Sequence, residues 1–143
     1  MDSCEQQVWQ RVLGQQESRQ TTGLKALAME AREAAREYRQ LSRVCRGKQQ
    51  TLARALWEAE EEAMEMLRGL HYLQTGETLR LPEPVGTGAA GKRSLMKRYH
   101  ETRRRAAEYL SRSGEPEWGQ VFRILAKGQE DQCARIAGLL GCM

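Results

Sequence analysis

Four stretches of helical periodicity, joined by connections of very unequal length, constrain this chain more than any other feature. In residues 48–75, Leu52, Leu56, Ala59, Ala63, Met66, Leu70 and Leu73 alternate spacings of four and three, the mark of a helix with one dry face. Residues 21–46 repeat the pattern with Leu24, Leu27, Ala31, Ala34, Tyr38, Leu41 and Cys45. Residues 93–113 carry it in Leu95, Tyr99, Thr102, Ala106 and Tyr109, and residues 116–141 in Phe122, Leu125, Gln129, Gln132, Ile136 and Leu140. Pro82 and Pro84 fall between these stretches, and Pro116 stands where a first helical turn tolerates it. The first two stretches meet through Arg46-Gly47-Lys48 and the last two through a Ser-Gly-Glu-Pro turn, so each pair is expected to form an antiparallel hairpin. Between the pairs run the sixteen residues GETLRLPEPVGTGAAG, enough to cross the length of a bundle. The expected fold is all-α: a four-helix bundle with one long crossover between helices 2 and 3.

One domain accounts for the whole length of 143 residues, which suffices to bury roughly two-thirds of the unfolded surface. Within it, residues 1–20 are expected to form a short N-terminal helix and linker, 21–75 the first hairpin, 76–91 the crossover and 92–143 the second hairpin. Aromatic residues are only 6% of the chain and Phe occurs once, so the core must be built from Leu, Ala, Met and a few Tyr, as in packed helices. Near the start, Val8, Trp9 and Val12 or Leu13 form an apolar patch expected to pack on the bundle or on a second subunit, making a homodimer through the N-terminal helix the expected assembly. The opening MDSCEQQVWQ has no basic segment followed by an apolar run, and no segment approaches 18 consecutive apolar residues. A cytoplasmic protein with no membrane partner is expected.

Cysteines at 4, 45, 133 and 142 form no Cys-x-x-Cys pair and have no His at zinc-finger spacing, which excludes a zinc ribbon or a thioredoxin-like motif. Cys45 and Cys133, both near apolar faces, are expected as small buried thiols. Net charge is +4, and much of the excess lies in KRSLMKRYHETRRR, residues 92–105. A basic helix of this kind would suit a nucleic-acid-binding adaptor. The acidic run at 58–65 balances it and stacking aromatics are almost absent, so a solvated face is the expectation and the adaptor an alternative.

The run LRGLHYLQTGE (67–77), with VWQRVL near the start, AAREYRQL in the first long helix and VFRILAKGQEDQ in the fourth, resembles small bacterial rubrerythrin-like proteins of the ferritin superfamily. The resemblance implies a ferritin-like bundle. In members with chemistry it implies a two-metal site taking one Glu from each of the first and third helices and a Glu-x-x-His from each of the second and fourth. Carried over by position, those ligands fall on Ala31, on Glu60 and Ala63, on Thr102, and on Gln129 and Gln132. One carboxylate remains and neither histidine. No Glu-x-x-His exists elsewhere, since Arg68 lies three before His71 and Lys97 three before His100.

The stretch WEAEEEAMEM holds five glutamates in ten positions. With Ala63 at the centre of the apolar stripe, Glu60 is expected roughly 60° away at its edge, and Glu58, Glu61, Glu62 and Glu65 roughly 100° to 160° away in water. Glu60 is therefore the one candidate metal ligand. Glu60, Thr102, Gln129 and Gln132, with Tyr38 and Tyr109 within two turns, form a candidate polar spot, either a hydrogen-bonded remnant that sets helix register or a pocket for a small ligand. No catalytic residue and no cofactor is expected. The expected function is binding or assembly with an unknown protein partner or small ligand, by a bundle that has lost di-iron chemistry. The enzymatic alternative is a metal-dependent oxidase or peroxidase of the rubrerythrin kind, or a metal-binding protein, using iron or manganese.

Overall fold

The computed structural model describes the backbone of residues 3–84 and 91–143, and the side chains of 23–84 and 91–143. The helices are α1 (Ser3–Val44), α2 (Lys48–Thr75), α3 (Lys92–Ser111) and α4 (Gly119–Gly141), with no strand among the described residues. α1 continues past residue 20, so the short N-terminal helix and linker expected over 1–20 are not set apart from the first bundle helix. The contact patch expected around Trp9 lies outside the described side chains.

Glycines set the two ends of α2. Gly47 (φ 61°) allows the three-residue turn from α1, and Gly76 (φ 74°) closes the C-terminus in the left-handed conformation, its N–H donating to the Tyr72 carbonyl at 2.7 Å. α4 begins at Gly119 rather than at 116, which leaves Pro116 in the turn instead of in the first helical turn. That turn is tight: a Cβ at Gly119 would sit 2.3 Å from the Ser113 carbonyl oxygen.

The closely packed pairs are α1 with α2, α3 with α4, and α2 with α4. α1 meets α3 through charged side chains: Glu37 accepts from Arg98 at 2.6 Å and from the Ser94 hydroxyl, and Glu30 accepts from Arg104 at 2.7 Å. These pairings run in opposite chain directions, so α1 and α3 are antiparallel. Gln132 reaching Leu56, and Gly138 facing Leu52, show the same for α2 and α4. α2 and α3 therefore lie across the diagonal, running in the same direction. The described part of the crossover rises along α1 toward the end where α3 begins. Arg32 donates to the Leu81 carbonyl (3.2 Å) and to Glu83 (2.7 Å), and Arg36 donates to the Pro84 carbonyl.

All seven positions of the expected α1 stripe are buried. In α2 the stripe is turned by about 50° from the expected one: Ala53, Leu56, Glu60, Ala63, Leu67 and Leu70 are buried, whereas Leu73 is 67% exposed. The core itself falls into two apolar halves. One gathers around Leu24, Leu67, Tyr109 and Phe122, the other around Tyr38, Leu56, Leu95 and Ile136. Leu79 of the crossover is 5% exposed and belongs to the first half. A loop residue packed like a helix residue should behave like one: Leu79→Ala is expected to cost about 2–4 kcal/mol in urea denaturation. A cost under about 0.5 kcal/mol, the range of ordinary surface substitutions, would mean that the crossover is not anchored.

Candidate functional site

Polar side chains separate the two apolar halves. Glu60 of α2 (0% exposed) and Arg105 of α3 (1% exposed) meet there across the diagonal in a two-pronged ion pair, Nη1 to Oε2 at 2.9 Å and Nη2 to Oε1 at 3.2 Å. α4 supplies two amides to the same carboxylate. Gln132 Nε2 donates to Glu60 Oε1 at 3.2 Å and to the Leu56 carbonyl at 2.8 Å, and Gln129 Nε2 reaches Oε1 at 3.5 Å. Gln132 Oε1 is held in turn by Arg135 at 2.8 Å, which orients the amide with its nitrogen inward. α1 closes the layer through Glu30, whose Oε2 lies 3.9 Å from Arg105 Nε.

Glu60 is thus at the middle of the α2 stripe, not at its edge. The other four glutamates of WEAEEEAMEM are exposed, as expected. A wheel centred on Ala63 sets Glu60 at the edge because it counts Leu52, Ala59, Met66 and Leu73, none of which is fully buried, and a carboxylate turns inward when a buried cation is there to meet it. Arg105 is the residue that sequence reasoning missed. It stands in a basic run that reads as a solvated face, yet Leu95, Arg98, Thr102, Arg105 and Tyr109 are themselves spaced three and four apart, the signal of an inward stripe.

Of the expected polar group, the structure joins Glu60, Gln129 and Gln132 directly. Thr102 is fully buried, but its hydroxyl donates to the Arg98 carbonyl of its own helix at 2.7 Å. Tyr38 and Tyr109 flank the layer from the two apolar halves. Burial, and after it the Glu60 carboxylate, pushes the Tyr38 phenol well above its ordinary range. Burial does the same to Tyr109, with Arg105 opposing it, and the Tyr109 hydroxyl has no hydrogen-bond partner among the described residues. For Arg105, burial acts against the charge, but the Glu60 carboxylate more than offsets this and its pKa is raised; the guanidinium stays cationic. A cleft of about 180 Å³ between α2 and α4 touches the layer, and of the six candidate residues only Gln129 borders it.

The residues present do not fit a two-metal centre. Such a centre needs several lone pairs converging on cations, whereas here four N–H donors converge on one carboxylate. Ala31 and Ala63, at two positions where the resemblance implies ligands, are buried and bring no donor atom. Among the described residues no three His, Cys, Asp or Glu side chains come together as a metal-holding group. Cys45 is buried; Cys133 is half-buried, and burial pushes its thiol up.

No protein-family model, curated protein or solved structure matches the chain.

Removing one partner of the central pair strands the other ion in a dry core. Arg105→Met is therefore expected to cost about 3–5 kcal/mol in denaturant unfolding, and adding Glu60→Leu to it should recover most of that loss. A double variant no more stable than the single one would show that the pair carries little of the penalty. Tyr109 gives a pH test. Because its folded pKa lies above the unfolded value of about 10, its contribution is fully present below pH 10 and is lost as pH rises beyond it. Tyr109→Phe should be nearly neutral at pH 7, as no hydrogen bond is lost, and should flatten the loss of stability between pH 10 and 11. An unchanged alkaline slope would remove Tyr109 from that transition.

Proposed function

We propose that this protein is a ferritin-like bundle in which an internal ion pair has taken the place of a two-metal centre, and that it works by binding or assembly rather than by redox catalysis. The observation that carries this reading is the Arg105 guanidinium engaging both oxygens of Glu60, the one carboxylate remaining at the family's ligand positions. A guanidinium in that position supplies the positive charge that metal would otherwise bring, permanently and without open coordination positions. The antiparallel hairpins and the crossover along α1 agree with a ferritin-like connection.

A basic nucleic-acid adaptor using α3 is the weaker reading. Arg98 and Arg105 of its basic run turn inward to Glu37 and Glu60, and Arg104 pairs with Glu30 at the surface, which weakens the cationic face. No helix among the described residues is long and apolar enough to cross a membrane, and a cytoplasmic location remains the expectation that goes with this reading.

The test is elemental analysis of the purified protein with a ferrous oxidation assay. Iron and manganese should be far below one per chain and oxidation at background. A near-equimolar metal that is lost in Glu60→Ala would overturn the proposal. Substituting ligands back should expose the role of Arg105. The set Ala31→Glu, Ala63→His, Thr102→Glu, Gln129→Glu and Gln132→His is expected to bind two metals only when Arg105→Ala is added.

A further inference from the structure

On the outer face of α1 and α2 the structure holds a second polar site, unrelated to the buried layer. Arg32, Arg36, Arg39 and Arg43 lie at i, i+4, i+7 and i+11 of α1, within one stripe about 16 Å long. They line a groove of about 470 Å³, with Trp57 and Met64 of α2 on one side and Glu83 and Pro84 of the crossover on the other. Arg68 of α2 brings the arginines to five, against two glutamates, Glu61 and Glu83.

The cations in this groove fall into two groups. Arg32 and Arg36 serve the fold, holding the crossover by its carbonyls and by Glu83. Arg39 and Arg43 make no ion pair with any acid among the described residues. Nearby Glu37 is directed to α3 instead, where Arg98 and Ser94 occupy it. The Arg39 guanidinium lies over Trp57, 5.1 Å from the ring centroid, which positions it while leaving its N–H edge free. Like charges four residues apart on a helix repel, and no acid of α1 relieves the repulsion here. An anion in the groove would.

We propose that this groove binds a small multivalent anion carrying phosphate groups, with Arg39 and Arg43 as its main contacts, Arg36 beside them, and Trp57 as an apolar wall. Guanidinium forks match phosphate oxygens in pairs, and a guanidinium fixed on an aromatic face loses little freedom when it does so. The volume is that of a small-molecule site. Glu61 and Glu83 on the rim disfavour a continuous nucleic-acid backbone and admit a short anion seated between them. The assignment deepens the binding reading but does not depend on the absence of metal, so the calorimetric test here and the metal analysis above can fail independently.

The experiment is isothermal titration calorimetry of the full chain with tripolyphosphate, with ATP, and with a single-stranded oligonucleotide, at low and at moderate salt. Tripolyphosphate or ATP is expected to bind once per chain. The double variant Arg39→Gln/Arg43→Gln, both exposed positions, should weaken that binding at least tenfold with unchanged helical circular dichroism. Arg103→Gln/Arg123→Gln, which removes the same charge from exposed sites on α3 and α4, should leave it unchanged. ATP binding more tightly than tripolyphosphate would place the organic part against Trp57, and equal binding would assign recognition to the phosphates alone; either supports the site. No binding of either phosphate probe, equal weakening in the control variant, or an oligonucleotide that outcompetes ATP would each overturn it.

Discussion

The Glu60–Arg105 pair is the interaction on which the rest of the bundle depends. It joins α2 and α3, a diagonal pair that does not otherwise pack closely. Neither ion could be buried alone, since an unpaired charge in the interior costs several kcal/mol even after relaxation. Rotating α2 back to the stripe suggested by its apolar residues would withdraw Glu60 and leave Arg105 with only the more distant Glu30, 3.9 Å from its Nε. The pair therefore fixes the rotation of α2 and the height of α3 together, a choice that Leu and Ala packing would leave loosely determined. Gln129 and Gln132 add α4 to the same centre, and Glu30 adds α1.

Two forces then divide the molecule by depth. The apolar halves above and below the layer hold the helices by burial, and Leu79 extends the first of them to the crossover. On the α1–α3 side, where the backbones stay farther apart, long charged side chains make the connection instead. Arg98 shows how far that goes: burial works against its charge, yet the hydrogen bond and charge of Glu37 leave its pKa raised. Within residues 92–105 only Arg98 and Arg105 turn inward in this way; Lys92, Arg93, Lys97, Arg103 and Arg104 stay exposed. Arg39 and Arg43 of α1 have no acidic partner among the described residues, and they leave free cationic character on the outer face of that helix.

The crossover connects these two regions. Arg32 and Arg36 fasten it to α1 by its backbone carbonyls, which satisfies polar groups that a loop lying on a helix would otherwise leave unpaired. The same fastening builds one wall of the arginine groove. A loop that returns α3 to the far end of the bundle also shapes a surface site.

By itself the sequence determined the four bundle helices, though not that the first runs unbroken from the N-terminal segment, together with the turns at Gly47 and Gly76 and the faces of α1 and α4, because those depend on local periodicity and on backbone freedom at single residues. It also singled out Glu60, Gln129 and Gln132 as one polar group, because their neighbours on each helix are apolar. The partner of that group came only with the tertiary structure. Arg105 is 45 residues from Glu60 and stands in a run of arginines that looks solvated, and which of them turns inward depends on what lies across the diagonal. The start of α4 was likewise decided by a contact, the close approach of Ser113 to Gly119. A charge is read as exposed when its own helix is the only context, and it becomes a core residue when a second helix delivers the opposite charge to the same point in space.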